Sequence, residues 1–337
     1  MTKRTRLFLS VAAGTLVVGL GAGLVASYFG VQRLALTGGN GPAELSYLPP
    51  NTSLLAYADL RAVMDSELHR RFSELRPGVP GGASRFKDQT GIDIEQDIDY
   101  IVAASTRSAS DTQGSDGPMP ESPLVLARGR FDQARIEQLI TEQGGVAEDY
   151  NESRLLAHAE ANLALAFVEP GLVAIGVPAA VRRAIDTKAG GIDVTGNDEL
   201  MRLVRGTEDA DAWAVAEFDA LVGDRVPADL AKQLPAISWF SAKGFLNEGL
   251  RIELRVDARD EAAAENLREV IRGFVALARL QAGQQAQMTE LMNTLELSTD
   301  GTTVTLGLKV PIEIFESLGA RRPRSPRPPR PPAPPAL

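Results

Sequence analysis

Between Leu7 and Val31 the chain carries no charged residue, and this run decides how much of the sequence is left to build a water-soluble fold. Lys3, Arg4 and Arg6 precede it and Arg33 follows it. A bilayer core needs about 20 apolar residues in a helix, whereas the apolar region of a cleaved signal is about 7–15 long. Residues 7–31 therefore read as an uncleaved signal-anchor helix within an N-terminal region 1–33. The excess of cations before the run holds the N-terminus in the cytoplasm and sends the chain past Arg33 across the membrane. The expected location is the inner (cytoplasmic) membrane, single-pass, with a periplasmic body. A long cleaved signal is the other reading, since Val25-Ala26-Ser27 presents small residues to a peptidase.

Thr15, Gly19, Gly23 and Ser27 recur every four residues and form a small-residue ridge along that helix, where a second copy can approach closely to make a homodimer. The chain has no cysteine. That removes disulfides, thiolate chemistry, Cys-type zinc sites and S-linked lipid. Charge is unevenly placed. Of 35 Lys and Arg, four precede Pro42 and five follow Gly319, which leaves 26 against all 44 acids, a net of −18 for the middle of a chain whose total is −9. So acidic a body repels nucleic acid and anionic headgroups, so no nucleic-acid partner is expected.

Hydrophobic residues make up 44% of the chain, enough for a packed core of one large or two ordinary domains. Thr37 to Pro42 is rich in breakers and lies in a linker, residues 34–47. Strands are expected at 53–59, 98–105, 124–131, 154–160, 163–169 and 172–177, with helices at 60–75, at 133–140 behind an Asp132 cap, at 178–190 opened by Pro178, and at 198–204. The stretches 76–90 and 106–123 read as loops. A second pass repeats the order: strands 212–218, 237–245 and 250–256, a helical stretch 221–234, and a long helix behind Asp257 or Asp260. A hairpin across Asp300-Gly301 joins strands 295–298 and 302–309, and 312–318 closes as a helical turn. The separations Asp59 to Glu217 (158 residues), Ile98 to Ile237 (139) and Asp132 to Asp257 (125) shrink where the first half has its long loops. The chain is therefore expected to be α+β, two related β-α-β-β-α-β-β units at 48–206 and 207–319 with antiparallel sheets and helices on the sheet faces. Residues 320–337, arginine and proline with little else, form a disordered basic arm suited to acidic envelope polymers or to the acidic body.

Signals for catalysis are weak. His69 and His158 have no second ligand at metal spacing, and no nucleophile elbow, phosphate loop or His-Glu-x-x-His is present. Asp93, Glu95, Asp97 and Asp99 alternate like the start of a calcium loop, but Ile98 stands where that loop needs glycine and Ala104 where it needs glutamate. The structural reading is that Asp93 or Asp97 caps a turn while the other acids are solvated. No catalytic, cofactor-binding or metal residue is nominated, and no cofactor is expected. The long helix has an apolar stripe, Leu267, Val270, Ile271, Phe274, Leu277 and Ala278, continued by Met288, Leu291, Met292 and Leu295. This is read as core, with a groove for an acyl chain or a partner helix as the alternative.

Leu48-Pro-Pro-Asn-Thr-Ser-Leu-Leu-Ala-Tyr-Ala-Asp59, with Thr90-Gly-Ile-Asp93 and Asp97-Ile-Asp99, resembles an uncharacterised bacterial family over about residues 45–319. That resemblance implies a membrane anchor followed by an exported α+β body of unknown function, with no catalytic residues to carry over. The expected function is a non-catalytic, membrane-tethered envelope module that binds an envelope protein or itself. The alternative is a carrier or sensor of a hydrophobic small molecule. A carboxylate enzyme is a third reading for which no pair stands out. Protease added to spheroplasts is expected to digest the body; a body protected until lysis would overturn the topology.

Overall fold

The computed structural model describes residues 42–70, 92–106, 123–159, 162–222, 236–246, 249–282 and 286–312. A 3-10 turn, Ala43–Tyr47, leads into β1 (Thr52–Asp59), α1 (Leu60–Met64), α2 (Ile94–Asp97), β2 (Ile98–Thr106) and β3 (Leu124–Gly129). Next come α3 (Gln133–Glu142), β4 (Val146–Tyr150), β5 (Ser153–His158), β6 (Leu163–Glu169), β7 (Leu172–Gly176), α4 (Pro178–Gly190) and α5 (Asp198–Arg205). The remainder is β8 (Ala212–Glu217), α6 (Phe218–Val222), β9 (Ile237–Phe245), β10 (Gly249–Ala258), α7 (Glu261–Ala282), α8 (Ala286–Asn293), β11 (Glu296–Asp300) and β12 (Thr303–Pro311).

All twelve strands join one sheet in the order β11-β12-β10-β9-β8-β1-β2-β3-β7-β6-β5-β4, and the recorded pairings are antiparallel. The centre is the β1–β8 pair, where Ala56 faces Ala214. Outward from it, Ala56 is followed by Ala103, Val125, Ile175 and Leu165. On the other side Ala214 is followed by Ala242, Leu254, Leu306 and Leu297. The first row goes two strands further, to Leu156 and Ala147.

Alternation sorts side chains between the two faces. On the central pair one face holds the alanines 56, 58, 212, 214 and 216, over which the short helices α1 and α6 lie. The opposite face holds Leu55, Tyr57, Trp213 and Val215, buried beneath α4, α5 and the 3-10 turn through Leu45, Val181, Ile185, Leu200 and Val204. On the alanine side, α3 sets Ile136 with Ala127, Leu156, Leu165 and Val173. There α7 sets Ala264 and Leu267 with Val256 and Val304, and α8 brings Leu291 to Leu250, Ile252 and Val310. Each buried Leu, Ile or Val contributes about 1.5–3 kcal/mol, so these contacts dominate stability.

Helix ends follow local chemistry. Asp59, Asp132, Asn197 and Asp260 accept backbone N–H groups of Ala62, Arg135, Leu200 and Ala263 at 2.7–3.1 Å. Such caps are worth about 1 kcal/mol each. Of the two caps expected for the long helix it is therefore Asp260 that serves; Asp257 is drawn into an ion pair instead. Pro178 opens α4, and Gly191 closes it with φ +70°, a conformation that favours glycine.

Four expectations are corrected. The helix expected over 60–75 is broken at Asp65 and Ser66 and resumes at Glu67: Ser66 turns its hydroxyl onto the carbonyl of Val63, where α1 ends, and accepts the backbone N–H of His69, capping the turn that follows. β4 was not expected, since Val146-Ala-Glu-Asp-Tyr150 is polar and held mainly by its ladder to β5. Asp99 is not solvated but paired with Arg61. The apolar stripe of α7 is only half core, as set out below. Residues 7–31, the ridge Thr15, Gly19, Gly23 and Ser27, the linker up to residue 41, the loops 76–90 and 107–122, most of 221–234 and 312–318, and the tail lie outside the described residues. Among the described residues no helix is long and apolar enough to cross a membrane.

Gly129 tests the register of the first half. A Cβ there would stand 1.9 Å from the carbonyl oxygen of Asp97 and 2.8 Å from Cα of Ile98, both backbone, so the β2–β3 ladder has to shift. Gly129→Ala is expected to destabilise by about 1–3 kcal/mol in denaturant unfolding, whereas Gly190→Ala, with nothing within 4 Å, is expected to be neutral or stabilising. Equal effects would show the register to be wrong.

Candidate functional site

Two places in the molecule depart from ordinary packing. The first is a buried charge cluster under the 3-10 turn. Glu44 is 1% exposed, and its Oε1 accepts from the Tyr100 hydroxyl at 2.9 Å and from Arg128 Nε and Nη2 at 2.9 and 2.6 Å. Its Oε2 is buried with no donor among the described residues. Arg128 Nη2 also reaches Glu169 at 3.2 Å, and Glu169 Oε1 accepts from the Tyr47 hydroxyl at 2.8 Å, with Lys188 at 3.8 Å. Tyr57 lies between Tyr100 and Trp213, with ring centroids 5.6 and 5.7 Å away.

The electrostatics of this cluster favour holding over proton transfer. Burial, the charge of Glu44 and the hydrogen bond to it push the Tyr100 hydroxyl up from 10.0 to about 12. Burial likewise raises Tyr47 and Tyr57 still further. Burial alone would raise Glu169, but hydrogen bonds from Tyr47 and Arg128 and the charges of Arg128 and Lys188 outweigh it and hold the carboxyl below its ordinary value. A guanidinium thus bridges two carboxylates among neutral phenols, and breaking such a buried pair costs about 3–5 kcal/mol. The cluster clamps the turn that precedes β1 onto β2, β3 and β6.

The second place is the flank of α7. Its base packs on the sheet through Ala263, Ala264, Leu267 and Ile271. Val270, Leu277 and Leu280 of the same helix are 46%, 42% and 80% exposed. Toward β11 the helix leaves an open groove of about 670 Å³ lined by Val275, Ala276, Leu280, Leu295 and Leu297, with Arg272 and Arg279 at its rim. Arg279 donates to the carbonyl of Met292 at 3.3 Å and so ties α7 to α8, while Arg272 pairs with Glu269 at 2.7 Å. The beginning of this site was legible in the stripe of α7. What sequence reasoning missed is that the contacts of the 22-residue helix with the sheet lie in its first half, while residues 276–280 are exposed.

The remaining residues singled out in the sequence are scattered. Asp97 accepts the backbone N–H of Asp93 at 2.7 Å, and the backbone N–H and guanidinium of Arg130 reach the carbonyls of Asp97 and Gln96 at 2.6 and 2.8 Å. Asp97 and Asp99 are thus engaged by their own chain. His69 is half-buried in a turn of helix, and His158 is half-buried at the end of β5 with its Nε2 3.1 Å from the carbonyl of Gln143. A polar cleft of about 520 Å³ beside Arg202, Arg255 and Arg259 is occupied at its base by Asp257, which takes Thr303 and Arg255 on one oxygen and Arg202 on the other.

No family model and no curated protein matches the chain. Two solved structures of TP0453, crystal forms III and IV, superpose with TM-scores of 0.48 and 0.44 at 6% and 8% identity. They cover 82% and 81% of this chain and 97% and 95% of their own. Likeness at that level carries no argument about this chain.

The raised Tyr100 hydroxyl gives a pH test. A folded-state pKa above the unfolded one adds stability that is complete below pH 10 and lost as pH rises from 10 towards 12. Unfolding free energy is expected to fall through that window in step with tyrosinate absorbance, and less steeply in Tyr100→Phe. An unchanged slope in that variant would sink the assignment. The lowered Glu169 works in the opposite sense, its contribution present above the ordinary value of 4.5 and lost as pH falls through the folded value.

Proposed function

We propose that this chain is a non-catalytic, membrane-tethered extracytoplasmic envelope module that acts by binding another protein or a second copy, on a scaffold made by duplicating one β-α-β-β-α-β-β unit. The observation that carries the binding reading is the exposure of Val270, Leu277 and Leu280 on a helix whose other side is core. Leu280 forgoes most, and Val270 and Leu277 about half, of the roughly 1.5–3 kcal/mol that full burial would supply, and exposed apolar surface of this kind marks interaction sites. The other exposed large apolar residues outside α7, Val146, Leu163 and Ile192, stand on separate elements. The tether is residues 7–31, and its direction follows from Lys3, Arg4 and Arg6.

The duplication is supported by register. Ala56 and Ala214, which face each other at the centre, are 158 residues apart, and Ala103 and Ala242 in the neighbouring strands are 139 apart, the separations already visible in the sequence. A strand pairing with its own copy puts a local two-fold axis at that central pair. The order outward is then β2, β3, β7, β6 on one side and β9, β10, β12, β11 on the other. Leu60 and Phe218, Ala127 and Val256, and Leu165 and Leu297 fill corresponding places in the clusters beneath α3 and α7.

A carrier function is the second reading, favoured by the groove itself: 670 Å³ of apolar lining with two arginines at the rim suits an acyl chain with an anionic head. A photocrosslinking residue at Leu280 of the full chain in its native membranes separates the two, with Ile192 as the exposed control. A discrete protein adduct at Leu280 alone is the expected result. An adduct to lipid alone favours the carrier, and equal labelling at both positions overturns the site.

A further inference from the structure

We propose that the outer edge of β11 accepts a β-strand from another polypeptide, one that alternates apolar with basic residues, in the place that β5 takes beside β6. This rests on the protein-binding reading of the α7 flank and says which backbone and which chemistry the partner brings.

The two ends of the sheet differ in how far they run past the matching strands β6 and β11. Beyond Leu165 of β6 the row continues to Leu156 of β5, which is fully buried under α3, and to Ala147 of β4. Beyond Leu297 of β11 no further strand follows among the described residues. An open edge offers unpaired N–H and C=O groups, the usual template for strand addition. Above this edge lies the apolar wall of Val275, Ala276 and Leu280, standing to Leu297 as α3 stands to Leu165. A strand about 4.8 Å outside β11 would place every second side chain against that wall, where Leu156 sits in the first half.

The opposite face of β11 decides the other residues. Glu296 and Asp300 point there, and Glu296 pairs with Lys309 at 3.4 Å. Basic side chains on the incoming strand would meet these acids, and the net of −18 over the body attracts a cationic partner from a distance. Two other occupants fit less well. A second β11 paired about Ser298 sets Glu296 against Asp300, and like charges directly opposite are destabilising. The chain's own basic tail has proline at most alternate positions between Pro323 and Pro335, and proline cannot donate to a ladder.

The test uses the full chain in zwitterionic nanodiscs, with empty nanodiscs as control, and a labelled capped heptapeptide Lys-Val-Arg-Val-Lys-Val-Arg read by fluorescence anisotropy. Companion peptides carry N-methyl groups on the valines, or on the basic residues, or replace the basic residues by Glu. The parent peptide is expected to bind, with one methylated frame and the Glu peptide at least about tenfold weaker, since an added strand needs its backbone donors and the matching charge. Ala276→Glu in the protein is expected to weaken the parent peptide by a similar factor with an unchanged melting temperature. If both methylated frames bind as well as the parent, strand addition is overturned, whereas the broader binding site stands or falls on the Leu280 crosslink. Absence of any peptide binding, or a full-chain dimer that Ala276→Glu dissolves, would also overturn the proposal, the latter by making a second copy the occupant.

Discussion

The antiparallel ladder between β1 and β8 joins two sets of strands into one sheet, and the rest of the architecture depends on it. Five alanines on one face of that pair let short helices lie close, while Leu55, Tyr57, Trp213 and Val215 on the other face demand a thick cover. α4 and α5 provide that cover. A one-residue slip in this ladder would exchange the faces, pressing Trp213 against α1 and α6 and leaving alanines beneath α4. Register at the centre is thus specified by side-chain size.

The charge cluster of Glu44, Arg128 and Glu169 extends that constraint to the start of the body. Burying a carboxylate is unfavourable unless it is paired, so the 3-10 turn holds its place only while Arg128 and the Tyr100 hydroxyl are in position. The partners come from β2 and β3, 56 and 84 residues away in sequence.

Toward the other end the packing thins. β9, β10, β12 and β11 have helices on the alanine side; on their opposite face α5 packs with Trp239 of β9 and reaches Asp257 of β10 through Arg202, while that face also carries the charged Lys243, Glu253, Arg255 and Lys309. There α7 and α8 stand between β10 and β11, where the first half has α3 and the β4–β5 hairpin. The hairpin carries the sheet two strands further, to an edge at β4, whereas the second half ends at β11 with α7 over it. The groove between α7 and β11 follows from that exchange of one kind of element for another.

Much of the fold was legible in the chain because its signals are local. Aspartate caps, Pro178, Gly191, the Asp300-Gly301 turn and alternating apolar runs act within a few residues, and β9 and α4 fall where those signals put them. The separations of 158 and 139 residues likewise required only that like elements recur. β4 and the break at Asp65 and Ser66 were not legible: a polar strand is held by its neighbour's ladder, and one serine hydroxyl both ends α1 and caps the turn after it. Nor could periodicity tell which part of the α7 stripe is core. Val270 and Leu267 are equally apolar in sequence, and only the way the helix is turned onto the sheet decides that one is buried and the other exposed. The sequence by itself determined which segments become strands and helices and where caps and turns stop them. The tertiary structure alone decided that Glu44 finds Arg128, and that among the described residues β11 ends the sheet with its edge and its groove open, because both depend on contacts between segments that no local pattern records.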